Sequence, residues 1–327
     1  MSTVDGRSAA IEEEVVLRVA RDYYLEDRSK VEIAKRTGLS RWQVARVLRE
    51  ARESGLVRIT IGRPRDADGS ELERRLAAAL GLDAAVVVDV DPAADGAADS
   101  IAAALAELLS ESIREGQSVG LTWSRVIERL PARLRGMAPC NVVQLAGALS
   151  FPGDRLGSVE VTREVARIAG GVAHPFYAPL FVADAGTAAA LRAQPEIARC
   201  LERVERLDVA VVSVGQWSER GSAVHPLVPA PLAAEVAAAG AVGDVSGRVF
   251  DERGAAVSTG FDDRIVGITA EQLRRVPRRI ATSVGEYRAR ATIAAARAGL
   301  MSELVVDRPQ AAAIVRLLDS GVTRPAD

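Results

Sequence analysis

The sequence predicts an α/β protein in two parts: an N-terminal, all-α (winged) helix-turn-helix domain and a Rossmann-like, doubly wound parallel sheet. Three observations predict it. Charge is segregated: nine basic residues stand against three acidic ones from Arg28 to Arg58, about +6 in a chain whose formal net charge is -2. Apolar residues recur at helical spacing up to about residue 54. From Ala84 onward, short apolar runs alternate with helical patterns, which is how open parallel sheets are written.

Composition removes several function classes first. At 327 residues, 48% hydrophobic and 26% charged, the chain can bury a core, and global disorder is excluded. Cys140 and Cys200 are the two cysteines and His174 and His225 the two histidines, all far apart, so neither a disulfide framework nor a zinc site is expected. Of 42 basic residues only Lys30 and Lys35 are lysines, so no lysine remains downstream for a Schiff base or a P-loop. Glu12, Glu13 and Glu14 stand where a secretory signal needs apolar residues, and no apolar run approaches the length of a membrane span. A cytoplasmic protein with no membrane contact is expected.

The N-terminal segment reads as three helices. Ile11, Val15, Val16, Val19, Ala20 and Tyr23 define the first, about residues 9 to 26. A second runs from about Lys30 to Arg36, with Val31, Ile33 and Ala34 turned inward. Gly38 supplies the positive φ of the tight turn, and Ser40 is the N-cap of a third helix, about Arg41 to Ser54. Val44, Val47 and Leu48 form its buried face.

Small Ala34, the turn at Gly38 and Val44 hold the spacing of a helix-turn-helix, whose second helix enters the major groove by its N-terminal end. Arg41, Gln43 and Arg46 carry the chemistry for base edges or phosphates, and Lys30, Ser40 and Arg49 that for phosphates. Trp42 either touches DNA or packs on the scaffold. Leu56–Ile61 alternates and reads as a short strand, a wing.

Gly62–Gly69 is rich in breakers and reads as a linker, with a helix from Ser70 to Leu80 after it that could pair with its copy in a second subunit. The expected strands are Ala84–Val88, Val119–Leu121, Val142–Leu145, Val172–Tyr177, Val209–Val214, Arg264–Gly267, Arg279–Val284 and Leu304–Val306. The expected helices are Ala97–Arg114, Ser124–Leu134, Val159–Ala169, Asp184–Leu191, Glu196–Arg203, Glu271–Arg275, Glu286–Ala298 and Pro309–Leu318. Gly240–Val257 suggests a β-hairpin insertion with Asp251–Gly254 at its turn. The domains are therefore 1–62 (helix-turn-helix), 63–80 (linker and connecting helix) and 81–327 (ligand binding and oligomerisation).

Ligands of such sheets bind beyond the carboxyl ends of the strands. Four strand-to-helix junctions have suitable residues. Gly120, Thr122, Trp123 and Ser124 offer hydroxyls and free N–H groups, either an anion seat or plain helix capping. Gln144 and Gly147 form the second junction, and Gly215 and Gln216 the third. At the fourth, Arg288 sits on a first helical turn and can reach a phosphate. Asp244, Asp251, Asp262 and Asp263 include candidate hydroxyl-binding carboxylates, with Asp251 favoured for shaping the hairpin turn. His174 and His225 each precede proline and read as structural. No GxGxxG, GxSxG or Walker A motif is present.

Together these pieces resemble the SorC family of bacterial sugar-responsive transcription regulators, grouped with DeoR-type regulators. The carriers are Glu32–Ser40, Gly120–Trp123, Val142–Gly147, Ala178-Pro179, Ala241–Arg248 and Ala291–Leu300 leading to Leu304–Asp307. The resemblance implies an effector domain similar to glucosamine-6-phosphate deaminase and ribose-5-phosphate isomerase, a sugar or sugar phosphate as effector, and a tetramer. It implies a phosphate seat at Gly120, Thr122 and Ser124, with Gln144, Gly147 and Gln216 around the sugar. The family often has Gly-x-x-Lys where this chain has Gly285-Glu286-Tyr287-Arg288, and Ser283-Val284 replaces its usual Ala-Gly.

The sequence thus points to a regulator that binds palindromic operator DNA as a dimer or tetramer and is controlled by a carbohydrate. No cofactor or metal is expected. An isomerase- or deaminase-like enzyme is the alternative, without a visible acid–base pair to run it.

Overall fold

The computed structural model describes residues 13–26, 28–54, 56–57, 67–90, 96–149 and 155–321. The chain divides into two units, Met1–Pro64 and Arg65–Asp327.

The first unit holds α1 (Glu13–Tyr24), α2 (Lys30–Thr37) and α3 (Arg41–Glu53). Residues 9–12 of the expected first helix lie outside the described residues. Two reciprocal capping boxes fix the later helix starts, Ser29 with Glu32 and Ser40 with Gln43. Gly38 ends α2 at φ 72°, a left-handed conformation that favours glycine. Val19, Ile33, Val44, Val47 and Leu48 close the core of the three helices. Of the expected wing strand only Leu56 and Val57 are described, and Val57 N–H donates to Ala51 O at 2.7 Å. Residues 58–61 and the linker residues 62–66 lie outside the described residues.

The second unit opens with α4 (Ala67–Leu80), three residues earlier than Ser70. This helix does not stand free as a connector. It packs on β1 (Ala84–Val88) and on the C-terminal helix; Leu76 is fully buried and Glu73 accepts from Val87 N–H at 2.9 Å. Then come α5 (Gly96–Ser112), β2 (Ser118–Leu121), α6 (Leu130–Arg133), β3 (Asn141–Gln144), α7 (Ser158–Ala169) and β4 (Ala173–His174). These are followed by α8 (Ala185–Arg192), α9 (Pro195–Glu202), β5 (Val209–Gln216), α10 (Ala230–Ala238), β6 (Gly243–Val245) and β7 (Arg248–Phe250). The chain closes with α11 (Ala270–Arg275), β8 (Arg278–Ser283), α12 (Ala289–Arg297), β9 (Glu303–Asp307) and α13 (Arg308–Asp319).

The strands β1-β9-β8-β5-β2-β3-β4 form one parallel sheet in that order. Alternate residues feed two separate cores. Val119, Val209, Val211 and Ile280 meet α5, α6 and α7 on one face, while Ala210, Val212, Ala281 and Leu304 meet α4, α8, α9, α12 and α13 on the other. The sheet is doubly wound, as the sequence predicts. The chain runs outward from β2 through β3 to β4, then returns to β5 on the other side of β2. The strand order therefore reverses between β2 and β5, and a crevice is expected at their carboxyl ends.

Several expected elements differ. Arg264–Gly267 is not a strand; Ile265 and Gly267 make isolated antiparallel bridges to Phe181 and Ala146. Arginines satisfy the carbonyls there: Arg192 donates to Ile265 O at 2.6 Å and Arg248 to Gly267 O at 3.2 Å. Val172–Tyr177 shortens to the two residues of β4 at the sheet edge. Ser124–Leu134 and Glu286–Ala298 each begin with a 3-10 turn, Ile127–Arg129 and Glu286–Arg288. The hairpin exists as β6 and β7, but its turn is Ser246-Gly247, at φ 55° and 77°. Asp251 shapes the next turn, accepting from Arg253 and Ala255 N–H. No expected element corresponds to α10, whose start is marked by Pro229 and Pro231 and whose buried side chains are Leu232, Ala233 and Val236 in a helix otherwise rich in alanine.

Candidate functional site

The α3 helix presents the residues expected to meet DNA. Val44, Val47, Leu48 and Ala51 are buried, so the opposite face is exposed, and it carries Trp42, Arg46 and Arg49. Arg41 and Arg49 pair with no carboxylate among the described residues, whereas Arg46 lies 3.4 Å from Glu50. Exposed pairs of this kind are weak enough for a phosphate to displace. Gln43 is partly committed: its Oε1 accepts from Ser40 N–H at 2.8 Å, while its own N–H donates to Ser40 Oγ at 3.2 Å. Ser40 is thus first a helix cap. Lys30 lies over the Tyr23 ring, 5.5 Å from its centroid.

In the second unit, hydroxyls gather at the carboxyl ends of β2, β5 and β8. Thr122 follows β2, and its N–H donates to Val211 O at 3.1 Å. Ser124 accepts from Ser213 Oγ at 2.7 Å, and Ser213 lies 2.5 Å from Thr282 Oγ1 on β8. Ser124 also caps the 3-10 turn by accepting from Ile127 N–H at 3.1 Å. The helix after that turn has only four residues, so the polar character here comes from the hydroxyls rather than from a helix end. Ser213 and Thr282 carry no local signature, because a hydroxyl inside a strand does not show in sequence which neighbouring strands it meets.

A buried carboxylate stands beside this cluster. Asp244 on β6 is 4% exposed, and its Oδ1 has no hydrogen-bond partner. Burial pushes its pKa up; Ser222, the Gly247 N–H, Arg288 and His225 offset part of that. Gly215 pairs with Asp244 across the antiparallel edge, and a Cβ on Gly215 would sit 2.6 Å from that oxygen. Gly215 is therefore glycine to leave room for Asp244. The sequence could not rank Asp244 among four aspartates, since only the β5–β6 pairing brings it to the crevice. Gln216, one residue beyond, is half-buried, and its side-chain amide makes no hydrogen bond among the described residues.

Arg288 closes the rim. Its Nε and Nη2 both donate to Gly221 O at 3.1 Å, Nη1 donates to Val284 O, and the guanidinium stacks 4.6 Å from the Tyr287 centroid. Burial lowers its pKa; Tyr287 opposes that shift and Arg125 adds to it. Arg125 follows Ser124, is exposed, and has no carboxylate partner among the described residues. Behind the rim, Ser283, Thr292 and Gln310 bond one another, and Asp307 accepts from Gly285 N–H at 2.5 Å. Ser283 and Val284, which depart from the family pattern, thus belong to internal structure: Ser283 to that network and Val284 to the contact with Arg288.

Other expected ligand residues have structural duties. Gln144 is fully buried, with Nε2 on Ala146 O at 2.8 Å and Oε1 accepting from Phe176 N–H at 3.3 Å. A Cβ on Gly147 would strike Pro179 O at 2.5 Å, and one on Gly120 the Leu145 side chain. These glycines allow close packing. Trp123 is 7% exposed, with its indole N–H on Leu156 O at 2.8 Å. His174 sits on β4, where burial lowers its pKa and Arg203 lowers it further. Cys140 and Cys200 are buried separately, and among the described residues no three His, Cys, Asp or Glu side chains group to hold a metal ion.

The geometry has counterparts in known proteins. Residues 65–316 match the family model described as "Putative sugar-binding domain". The transcriptional regulator YjhU of Escherichia coli K12 is 27% identical over 319 residues, covering 92% of this chain and 94% of that protein. The deoxyribonucleoside regulator of Bacillus subtilis is 26% identical over 313 residues, covering 93% and 97%. The fold matches the crystal structure of the full-length sorbitol operon regulator SorC from Klebsiella pneumoniae with a TM-score of 0.77 at 22% identity, covering 94% of this chain and 99% of that one. A three-helix unit with an exposed basic face on α3, a parallel sheet whose strand order reverses between β2 and β5 and a family model spanning most of the chain lead to one assignment: this chain belongs to the putative sugar-binding domain family of SorC- and DeoR-type transcription regulators.

Proposed function

We propose that this regulator binds operator DNA through α3 and is controlled by a sugar, polyol or sugar phosphate held in the β2–β5 crevice. The observation that carries the effector half is Asp244. A buried carboxylate oxygen without a partner costs free energy, and a ligand hydroxyl would satisfy it. Gln216, Ser124 and Thr122 supply further polar contacts, and Arg125 and Arg288 supply positive charge for an anionic group. Control requires that the ligand bind the DNA-competent and DNA-incompetent states with different affinity.

The protein acts in this reading as a cytoplasmic dimer or tetramer on palindromic sites, with no metal or cofactor. Among the described residues no helix is long and apolar enough to cross a membrane. Binding rather than turnover is supported by the relatives' names as regulators. A thermal-shift screen with sugars, polyols and their phosphates tests the effector. The best hit must then change operator affinity in an anisotropy titration. A hit that is converted to product during incubation would make the protein an enzyme.

A further inference from the structure

We propose that Trp42 is the residue with which α3 recognises thymine, its indole covering the 5-methyl group in the major groove. The inference rests on α3 being the recognition helix. Trp42 is 83% exposed, while Trp123 and Trp217 are each 7% exposed. A single exposed apolar residue is ordinary on a protein surface. Its position is what distinguishes this one.

At about 100° per residue, Trp42, Arg46 and Arg49 share one stripe. That stripe lies opposite the buried Val44, Val47 and Ala51. Trp42 is the second residue of the helix, within the turn that enters the groove. An apolar ring among arginines suits a surface whose cations meet phosphates while its centre meets base edges.

The neighbouring base reader is constrained. Bidentate recognition of adenine by glutamine uses both the amide oxygen and the amide nitrogen. Gln43 has its oxygen on the backbone N–H of Ser40, which holds the amide toward the cap and leaves one lone pair of that oxygen for a base. Trp42 has no cap to serve. Thymine alone among the bases presents a methyl group in the major groove.

The test uses the full-length protein and random duplex DNA. Wild type and Trp42→Ala are each taken through rounds of selection, and the enriched sequences are compared. Every thymine of the wild-type half-site is then replaced by deoxyuridine, which deletes only the methyl group. One replacement per half-site is expected to weaken wild-type binding about fourfold. Trp42→Ala is expected to bind the wild-type sequence about tenfold more weakly and to ignore that replacement. Trp42→Phe should retain the thymine preference in weaker form. Equal melting temperatures would show the folds intact.

If Trp42→Ala still senses the methyl group fully, the inference fails while the recognition-helix reading stands. It also fails if the substitution alters only the oligomeric state in sedimentation, because the indole then covers a second copy of the chain. If wild type enriches no common sequence, the recognition-helix reading falls and takes this inference with it.

Discussion

The guanidinium of Arg288 and the carbonyl of Gly221 are joined by two hydrogen bonds of 3.1 Å each. The same carbonyl also accepts from Gln216 N–H at 3.1 Å. One oxygen thus carries three donors while Asp244 Oδ1, on the neighbouring strand, carries none. The turn from Gln216 to Ser222 at the end of β5 is held against the rim by this arginine. Arg288→Ala is expected to speed hydrogen exchange in a peptide covering 216–222 by roughly tenfold or more, with the global melt little changed. Lysine cannot make the forked contact, so Arg288→Lys should loosen the turn too. Unchanged protection in both variants would remove Arg288 as its anchor.

Asp244 links pH to stability. Its folded pKa is raised above the ordinary carboxylate value, chiefly by burial. The proton is therefore held more tightly in the folded state, and the stability it confers is present at low pH. That stability is lost as pH rises through the folded value. Arg288 and His225 lie near enough to moderate the loss. Asp244→Asn should therefore melt at or above the wild-type temperature at pH 8, with a smaller difference at pH 4, and should lose effector binding. A melt lowered at pH 8 would show the carboxylate to be a net stabilising group.

Arg41 and Arg46 should behave as DNA contacts. Each change to alanine is expected to weaken binding by about tenfold and to reduce the slope of log affinity against log salt by about one if the lost contact is a phosphate. Both residues are exposed, so circular dichroism and melting should stay near wild type. Binding unaffected in an anisotropy titration would remove them from the interface.

The cysteines should be inert. Burial pushes the thiol pKa of both Cys140 and Cys200 up to about 11. At pH 8 roughly a thousandth of each is thiolate, the reactive form. Iodoacetamide should label the native protein slowly and the urea-unfolded chain rapidly, as followed by mass spectrometry. Fast labelling of the folded protein would mean that these sites open readily.

The sequence alone determined what depends on neighbours along the chain. The helix cap at Ser40, the turn at Gly38, the apolar stripe of α3 and the strand–helix alternation are local patterns. They determined both units and the doubly wound sheet. Where prolines opened a helix of mostly alanine, as at α10, the local signal failed. Where arginines satisfied carbonyls in place of a neighbouring strand, as at Ile265 and Gly267, an apolar run proved not to be a strand.

Tertiary structure decided which polar residues face the crevice. Gln144 looked like a ligand residue and is occupied by Ala146 and Phe176. Ser213 and Thr282 looked like strand filler and belong to the hydroxyl cluster. Asp244 became distinct from the other aspartates only when β6 paired with β5 and set its carboxylate against Gly215. The physical reason is that a side chain's hydrogen-bond partners come from strands distant in sequence. Residue type fixes what a group can donate or accept, and only packing fixes whether that capacity is already spent.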